Sequence, residues 1–199
     1  MKRILITGFE PFSDIKINPS GTLVNDLYQF LKKQNQFAIE KVILPVDYQK
    51  AESVLNTIEF GNYDFIFQFG VAAKRTRVCL ERVALNWIES AIPDNSGTHP
   101  NCRPIDEALD SAKINSLDLQ KIMVELNSEF PGAIEVSLSA GAYLCNYVYF
   151  KTLSKTSKCL FVHVPSSLIF ENQEWNHDTD SYRSTLTEIG FRLIKFILD

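Results

Sequence analysis

The chain has 199 residues, of which 45% are hydrophobic and 22% are charged, and its formal net charge is −4. These values are typical of globular proteins and exclude a disordered, collagen-like or coiled-coil chain. The near balance of basic and acidic residues also argues against electrostatic binding to nucleic acid or to an anionic membrane surface, so neither is expected as a partner. The length predicts a single domain that spans residues 1–199.

The pattern of cysteines and the first residues of the sequence bear on the cellular compartment. The cysteines at positions 79, 102, 145 and 159 form no CxxC pair and have no histidine at zinc-ligand spacing, although their even number permits two disulfides. The chain begins MKRILITGF without a signal-peptide pattern, and no apolar run approaches the ~20 residues that a membrane span needs. We therefore expect a cytoplasmic protein with reduced thiols and with no metal or cofactor.

Strand and helix patterns alternate through the first part of the chain. Strands are predicted at 2–7, at about 40–46 and at 63–69, the first and third closed by Gly8 and Gly70. Asn18 and Pro19 predict the cap and the first residue of a helix. A second helix carries apolar residues from Ala51 to Ile58 and is expected to end near 61–62.

The remaining patterns complete an α/β arrangement. Residues 77–88 indicate one or two strands with a bend near 81–82, and the turn-rich stretch 93–112 is interpreted as an excursion from the core. Further helices are predicted around 117–126, 144–153 and 186–196, and further strands at 133–138 and 159–164. The alternation predicts a three-layer α/β/α fold with a mostly parallel twisted sheet and helices on both faces. Functional groups of such sheets collect where the strands end.

The strongest chemical signal in the residues themselves is Cys145. A predicted strand ends, small residues allow a tight turn at 139–142, and Cys145 falls in the first turn of a helix, where free N–H groups favour a thiolate and an oxyanion. The alternative is a buried structural cysteine. None of the glycines that follow strands opens a GxGxxG or P-loop motif, so a nucleotide site has no support.

His163 is the natural partner of that thiol, because it ends the next core strand after the helix that Cys145 begins. The alternative is a buried neutral histidine, and His99 and His177 lie in polar, turn-like sequence where solvation is expected. A third group that orients the imidazole is also needed. Spacing alone leaves that choice open among the following carboxylates: Glu10, Glu81, Glu89 and Asp94.

Ordered motifs along nearly the whole chain carry a family resemblance. They are TGFEPF (7–12), NP (18–19), ERVALN (81–86), IPDN (92–95), SAGAYLCN (139–146) and VHVP (162–165). Together they resemble the pyroglutamyl peptidase I family, cysteine exopeptidases that remove an N-terminal pyroglutamate without a cofactor. The resemblance implies that peptides with an N-terminal pyroglutamate are the partners and that the chain forms a homo-oligomer, a tetramer or a dimer.

The resemblance also implies roles for individual residues. It assigns a catalytic triad of Cys145, His163 and Glu81. Substrate-binding positions are carried over to Phe9, Phe12, Val71 and Tyr143. A flat, uncharged lactam ring suits a pair of aromatic side chains with a few backbone groups around it, whereas core packing is the alternative role for each phenylalanine.

The chain departs from the family pattern in three places. Ala91 stands where relatives usually have an arginine before Ile-Pro-Asp-Asn, the excursion at 96–115 is shorter, and residues 166–168 replace the usual continuation after Val-Pro. A non-catalytic homologue that binds a pyroglutamyl or similar lactam is therefore a second hypothesis, which an intact triad disfavours. A nucleoside- or phosphate-handling enzyme is a third, and it rests on fold analogy alone.

Overall fold

The structure, a computed structural model, describes residues 1–13, 16–170 and 173–199. Within these ranges the helices are α1 (Pro19–Gln34), α2 (Tyr48–Thr57), α3 (Leu119–Glu129), α4 (Leu144–Leu153) and α5 (Asp180–Leu198). The strands are β1 (Arg3–Phe9), β2 (Ala38–Leu44), β3 (Phe65–Val71), β4 (Val78–Glu81), β5 (Val83–Leu85), β6 (Ala112–Ile114), β7 (Ile134–Ser137), β8 (Cys159–Val164), β9 (Ser167–Phe170) and β10 (Gln173–Asn176).

The central sheet has the strand order β2-β1-β3-β8-β4-β7. Strands β2, β1, β3 and β8 are parallel to one another. Strand β4 pairs antiparallel with β8 and parallel with β7, so the last two strands run in the opposite direction. The predicted α/β fold with a mostly parallel sheet is confirmed, with a reversed pair of strands at one edge.

Helices cover both faces of the sheet and bury its alternating side chains. On one face α1, α3 and α5 pack against a cluster that includes Ile4, Phe67 and Leu160. On the other face α2 and α4 pack against a cluster that includes Leu5 and Ile66. Neighbouring residues of a strand point to opposite faces, so the central strands β1, β3 and β8 supply both clusters and are almost continuously apolar.

The start of α1 follows the predicted capping chemistry. Asn18 Oδ1 accepts a hydrogen bond from the backbone N–H of Ser20 at 3.1 Å, and Pro19 occupies the first helical position. At the other end Asn35 takes a left-handed conformation with φ of 51°, which closes the helix. The bend near 81–82 is also confirmed, since β4 ends and β5 begins there.

Several predicted boundaries were wrong because glycines were read as strand ends. Strand β1 continues through Gly8 to Phe9, whose register partner is Leu44, and β3 continues through Gly70 to Val71. A parallel neighbour on one side, β2 for β1 and β8 for β3, continues the ladder past each glycine.

The other differences concern the second strand, the second helix and a hairpin. Strand β2 begins and ends before the predicted 40–46, and α2 ends at Thr57, ahead of a short 3₁₀ turn at Phe60–Asn62. The antiparallel hairpin of β9 and β10 has no counterpart in the sequence prediction. No helix of the described ranges is long and apolar enough to cross a membrane.

Candidate active site

His163 and Glu81 form a buried contact in the middle of the sheet. Nδ1 of His163 lies 2.7 Å from Oε1 of Glu81, and the two residues are 5% and 0% exposed. Strand β4 runs antiparallel beside β8 with Cys79 opposite His163, which brings the end of β4 within reach of the imidazole. With Nδ1 engaged by the carboxylate, Nε2 is the ring nitrogen that remains for another partner.

Arg75 contacts the same carboxylate from the segment between β3 and β4. Its Nη1 donates to Oε1 of Glu81 at 2.7 Å, and its Nη2 donates to the backbone carbonyl of Ser139 at 3.3 Å. The other oxygen of Glu81, Oε2, is buried without a hydrogen-bond partner. A buried carboxylate with so few donors needs a countercharge, and the guanidinium of Arg75 supplies it.

Cys145 is the second residue of α4 and lies beside His163. A methyl carbon on Gly70 would come 2.8 Å from Sγ of Cys145. Gly70 is in turn the register partner of His163 across β3 and β8. The structure therefore brings together the sulfur, the imidazole and the carboxylate that the family resemblance singled out.

The thiol of Cys145 is protonated at neutral pH in this arrangement. Burial raises its pKa to about 12, the negative charge of Glu81 adds to the increase, and Arg75 opposes it. The backbone N–H at the start of the helix lowers the pKa of the thiol, as expected, but burial outweighs this effect. The thiol needs a base to accept its proton before it reacts as a nucleophile.

The turn before α4 presents backbone N–H groups next to the sulfur. Gly141 has φ of +83°, a conformation that glycine adopts without strain. Tyr143 caps α4 but gives no side-chain hydrogen bond to its first turn. The first N–H groups of α4 therefore have no side-chain cap as a partner, and free N–H groups of this kind are what an oxyanion site uses.

An apolar pocket opens beside the sulfur. Its volume is about 320 Å³, including the open space at its mouth. All four residues predicted to bind substrate line it, namely Phe9, Phe12, Val71 and Tyr143. Its other lining residues are Asn18, Val46, Leu144 and Cys145. The ring of Phe9 is 3% exposed and lies 6.4 Å from that of Phe161, so Phe9 forms a fixed wall rather than a movable flap.

Two asparagines hold the loop that carries Phe12. Nδ2 of Asn18 donates to the carbonyl of Glu10 at 2.9 Å, and Nδ2 of Asn95 donates to the carbonyl of Pro11 at 2.9 Å. The sequence predicts Asn18 only as a helix cap, and its second role was missed. This second role could have been expected, because the side-chain amide of a capping asparagine has two N–H donors besides its accepting oxygen.

A second pocket lies on the far side of Tyr48. It is larger, at about 620 Å³, and more polar, and Glu52, His99 and Arg103 are among its lining residues. The ring of Tyr48 meets that of Tyr143 edge-on at 5.8 Å, so the two pockets share an aromatic wall. Because Cys145 lines the smaller pocket and no cysteine lines the larger one, the smaller pocket is the better candidate for cysteine chemistry.

The remaining candidate carboxylates have other roles. Glu10 is exposed, Glu89 accepts a hydrogen bond from an indole, and Asp94 accepts hydrogen bonds from backbone N–H groups of its own loop. Of the four, Glu81 is the one that contacts His163. All four residues lie within the described ranges, so Glu81 is the candidate that the contact favours.

Comparisons with known proteins show a family for this chain. Residues 2–174 match the family model for pyroglutamyl peptidases. The chain is 36% identical over 170 residues to a pyrrolidone-carboxylate peptidase of Pyrococcus furiosus, covering 82% of this chain and 80% of that protein. It is 35% identical over 173 residues to one of Halalkalibacterium halodurans, covering 82% and 84%.

Solved structures give the same result at the level of the fold. The crystal structure of the Pyrococcus furiosus pyrrolidone carboxyl peptidase superposes with a TM-score of 0.83 at 32% identity, covering 98% of each chain. That of Bacillus amyloliquefaciens pyroglutamyl peptidase I superposes with a TM-score of 0.72 at 28% identity, covering 83% of this chain and 82% of that one.

Proposed function

The chain belongs to the pyroglutamyl peptidase family of cysteine peptidases, and from that premise we propose that it removes an N-terminal pyroglutamyl residue from peptides. In this proposal Cys145 is the nucleophile, His163 is the general base and acid, and Glu81 orients the imidazole. The observation that carries it is the buried contact of 2.7 Å between Nδ1 of His163 and Oε1 of Glu81, beside the sulfur of Cys145. Because that contact engages Nδ1, Nε2 is left as the ring nitrogen that can accept the proton of the thiol.

The first half of the reaction forms a thioester. Nε2 of His163 accepts the proton of the Cys145 thiol as Sγ attacks the pyroglutamyl carbonyl carbon, and backbone N–H groups at the start of α4 stabilise the oxyanion. The tetrahedral intermediate then collapses, the carbon–nitrogen bond breaks, and His163 gives its proton to the leaving amine.

The second half returns the enzyme to its starting state. A water molecule gives a proton to His163 as its oxygen attacks the thioester carbon. The carbon–sulfur bond then breaks, and the thiolate of Cys145 recovers the proton from the imidazole. Free pyroglutamic acid leaves, and the atoms of one water have been added across the original amide bond.

The pocket supports this choice of substrate. Its walls of Phe9, Phe12, Val71 and Tyr143 suit a flat five-membered ring that carries no charge, because neither an amine nor a carboxylate would be solvated there. A substrate with a free N-terminal amine would lose its hydration without gaining a countercharge, which favours the cyclised residue over ordinary N-termini.

The decisive experiment compares two chromogenic amides that differ in one oxygen. Pyroglutamyl amide is expected to be hydrolysed, whereas prolyl amide, whose ring bears a charged amine and no lactam carbonyl, is not. Activity should disappear in Cys145→Ser, persist in the matched control Cys102→Ser at an exposed thiol, and survive EDTA. Turnover by Cys145→Ser would overturn the assignment, and binding of the pyroglutamyl amide without turnover by the wild type would favour the lactam-binding hypothesis.

Three expectations from the sequence stay predictions. They are the single domain over residues 1–199, the homo-oligomeric state and the cytoplasmic location. Among the described residues no group of three or more His, Cys, Asp or Glu side chains is arranged to hold a metal ion, and the proposed chemistry uses none.

A further inference from the structure

We propose that Arg75 is a positioning residue for this reaction, which holds Glu81 against His163, ties that pair to the turn before Cys145 and, through its charge, sets the pH range of the site. The inference rests on the proposed function for its catalytic consequence. Its electrostatic part concerns the thiol alone and does not depend on the substrate.

The hydrogen bonds of Arg75 reach both halves of the site. One nitrogen donates to the oxygen of Glu81 that also contacts His163, and the other donates to the carbonyl of Ser139. Ser139 belongs to the turn between β7 and α4 that leads to Cys145. One planar guanidinium therefore fixes the carboxylate and the approach to the nucleophile together, which the single ammonium of a lysine does with less precision.

The burial of Glu81 makes the charge of Arg75 necessary. Glu81 is 0% exposed, and its Oε2 has no hydrogen-bond partner. Arg75 is the cation that pairs with it among the described residues, with its own side chain 30% exposed. Without a countercharge, a carboxylate in such surroundings either takes up a proton or needs a protonated histidine beside it as its countercharge.

The other titratable groups near the carboxylate are neutral at working pH. Cys145 and Tyr149 both have a raised pKa that the charge of Glu81 helps to cause, and Cys79 on the same strand has a pKa raised to about 12 by burial. The Tyr149 hydroxyl donates to the backbone carbonyl of Glu81 rather than to its carboxylate. The charge balance of the site is thus set by Glu81, His163 and Arg75.

Removal of the Arg75 guanidinium is expected to shift the pH dependence of the site in one direction. The charge of Arg75 lowers the pKa of the Cys145 thiol, so the pKa of the thiol rises when that charge is removed. The pH profile of kcat/KM should accordingly move to higher pH, by about one unit. A purely structural role of Arg75 would lower the rate without moving the profile.

The test measures the alkylation of Cys145 by iodoacetamide as a function of pH, followed by the mass of the peptide that contains it. The reaction forms a carbon–sulfur bond and releases iodide, and it needs no pyroglutamyl substrate. In Arg75→Gln the profile should move up by about one pH unit, whereas in Arg75→Lys it should stay near that of the wild type. The matched control is Arg77→Gln, which removes an exposed cation that faces Glu135 instead.

The outcomes separate the two proposals. An alkylation profile that stays in place in Arg75→Gln, or moves equally in Arg77→Gln, overturns the inference even if pyroglutamyl amide is hydrolysed. A shift in Arg75→Gln in a protein that hydrolyses no pyroglutamyl amide would support the electrostatic role and refute the proposed function. If Arg75→Gln fails to fold, Arg75→Lys decides, because a profile moved by a full unit despite the retained charge contradicts the inference.

Discussion

The imidazole of His163 and the carboxylate of Glu81 meet across two strands that run in opposite directions. Cys79 is the register partner of His163 in the antiparallel pair of β4 and β8, and Glu81 lies further along β4 on the same side. The contact of 2.7 Å is therefore a diagonal one, between side chains two positions apart in the register of an antiparallel pair.

The first prediction concerns the base. His163→Ala is expected to lower kcat by at least about a hundredfold, because the thiol loses its proton acceptor and the leaving amine its proton donor. The measurement is steady-state hydrolysis of a pyroglutamyl amide. His99→Ala, at an exposed position, is the control that should keep wild-type kcat, and a comparable loss there would point to the larger pocket instead.

The second prediction concerns the carboxylate. Glu81→Gln keeps the shape of the side chain but removes the charge that both His163 and Arg75 face. The loss of one charge-assisted hydrogen bond of about 1.5–3 kcal/mol corresponds to a decrease in kcat of about tenfold to a hundredfold, smaller than in His163→Ala. Wild-type kcat in Glu81→Gln would mean that another carboxylate orients the imidazole, and Glu10→Gln would be the next variant to measure.

The third prediction concerns the close approach of β3 to the nucleophile. In Gly70→Ala the new methyl carbon would lie 2.7 Å from Cζ of Phe161 and 2.8 Å from Sγ of Cys145, both far inside van der Waals contact. The sulfur has to move, and a displacement of about 1 Å costs about a hundredfold in rate. Gly61→Ala is the matched control, because a methyl group there meets nothing within 4 Å. Equal kcat values for the two variants would contradict the position of the thiol.

The sequence predicted most elements but not the reason that the site assembles. Residues 144–153 and 159–164 were predicted to the residue as α4 and β8, because each run has the length typical of its element and turn residues next to it. The expected parallel strand–helix–strand unit was wrong, since β7 and β8 run in opposite directions on either side of β4. The turn at 138–143 brings the chain back so that Cys145 lies near His163. A local sequence pattern predicts a turn there but not the direction in which the chain leaves it.

The electrostatics of the site also lay beyond sequence reasoning. Arg75 was one of several cations in a polar stretch, and its pairing with Glu81 depends on the bend between β3 and β4. The sign of the shift at Cys145 depends on how deeply neighbouring strands bury the thiol. Both are properties of tertiary packing, whereas the family motifs identify residue types and order only.

The fourth prediction concerns stability at alkaline pH. Burial raises the pKa of Cys79 from 9.0 to about 12, and the residue is 0% exposed. The unfolded chain loses this proton above pH ~8.5 while the folded protein keeps it, so the stability that the neutral thiol contributes is complete below that pH. As the pH rises toward the pKa of the folded state, the free energy of unfolding falls by about 1.4 kcal/mol per pH unit for one such thiol.

The variant Cys79→Ala isolates that contribution. Its free energy of unfolding, measured in urea between pH 8 and 11, should decrease less steeply with pH than that of the wild type. Cys102→Ala at an exposed position should leave the slope unchanged. Parallel pH dependences for the wild type and Cys79→Ala would contradict the raised pKa.

The last prediction concerns Ala91, where the chain departs from the pattern of its family. Ala91 is exposed and lies between two points that fix its segment to the turn before the nucleophile. The backbone N–H of Glu89 donates to the carbonyl of Ala142 at 2.9 Å, and the hydroxyl of Tyr143 donates to the carbonyl of Pro93 at 3.0 Å. A long side chain at position 91 therefore starts beside the mouth of the pocket and needs no space in the core.

The variant Ala91→Arg is expected to raise kcat/KM on a pyroglutamyl amide. A guanidinium that reaches the reacting carbonyl adds a donor for the oxyanion, and one such donor contributes up to about a hundredfold in rate. Ala91→Gln provides similar reach without the charge and should have a smaller effect. The guanidinium of Arg75 is hydrogen-bonded to Glu81 and Ser139, so it does not supply a cation at the mouth of the pocket. An unchanged kcat/KM in a folded Ala91→Arg variant would mean that the backbone N–H groups of α4 stabilise the oxyanion without help from a side-chain cation.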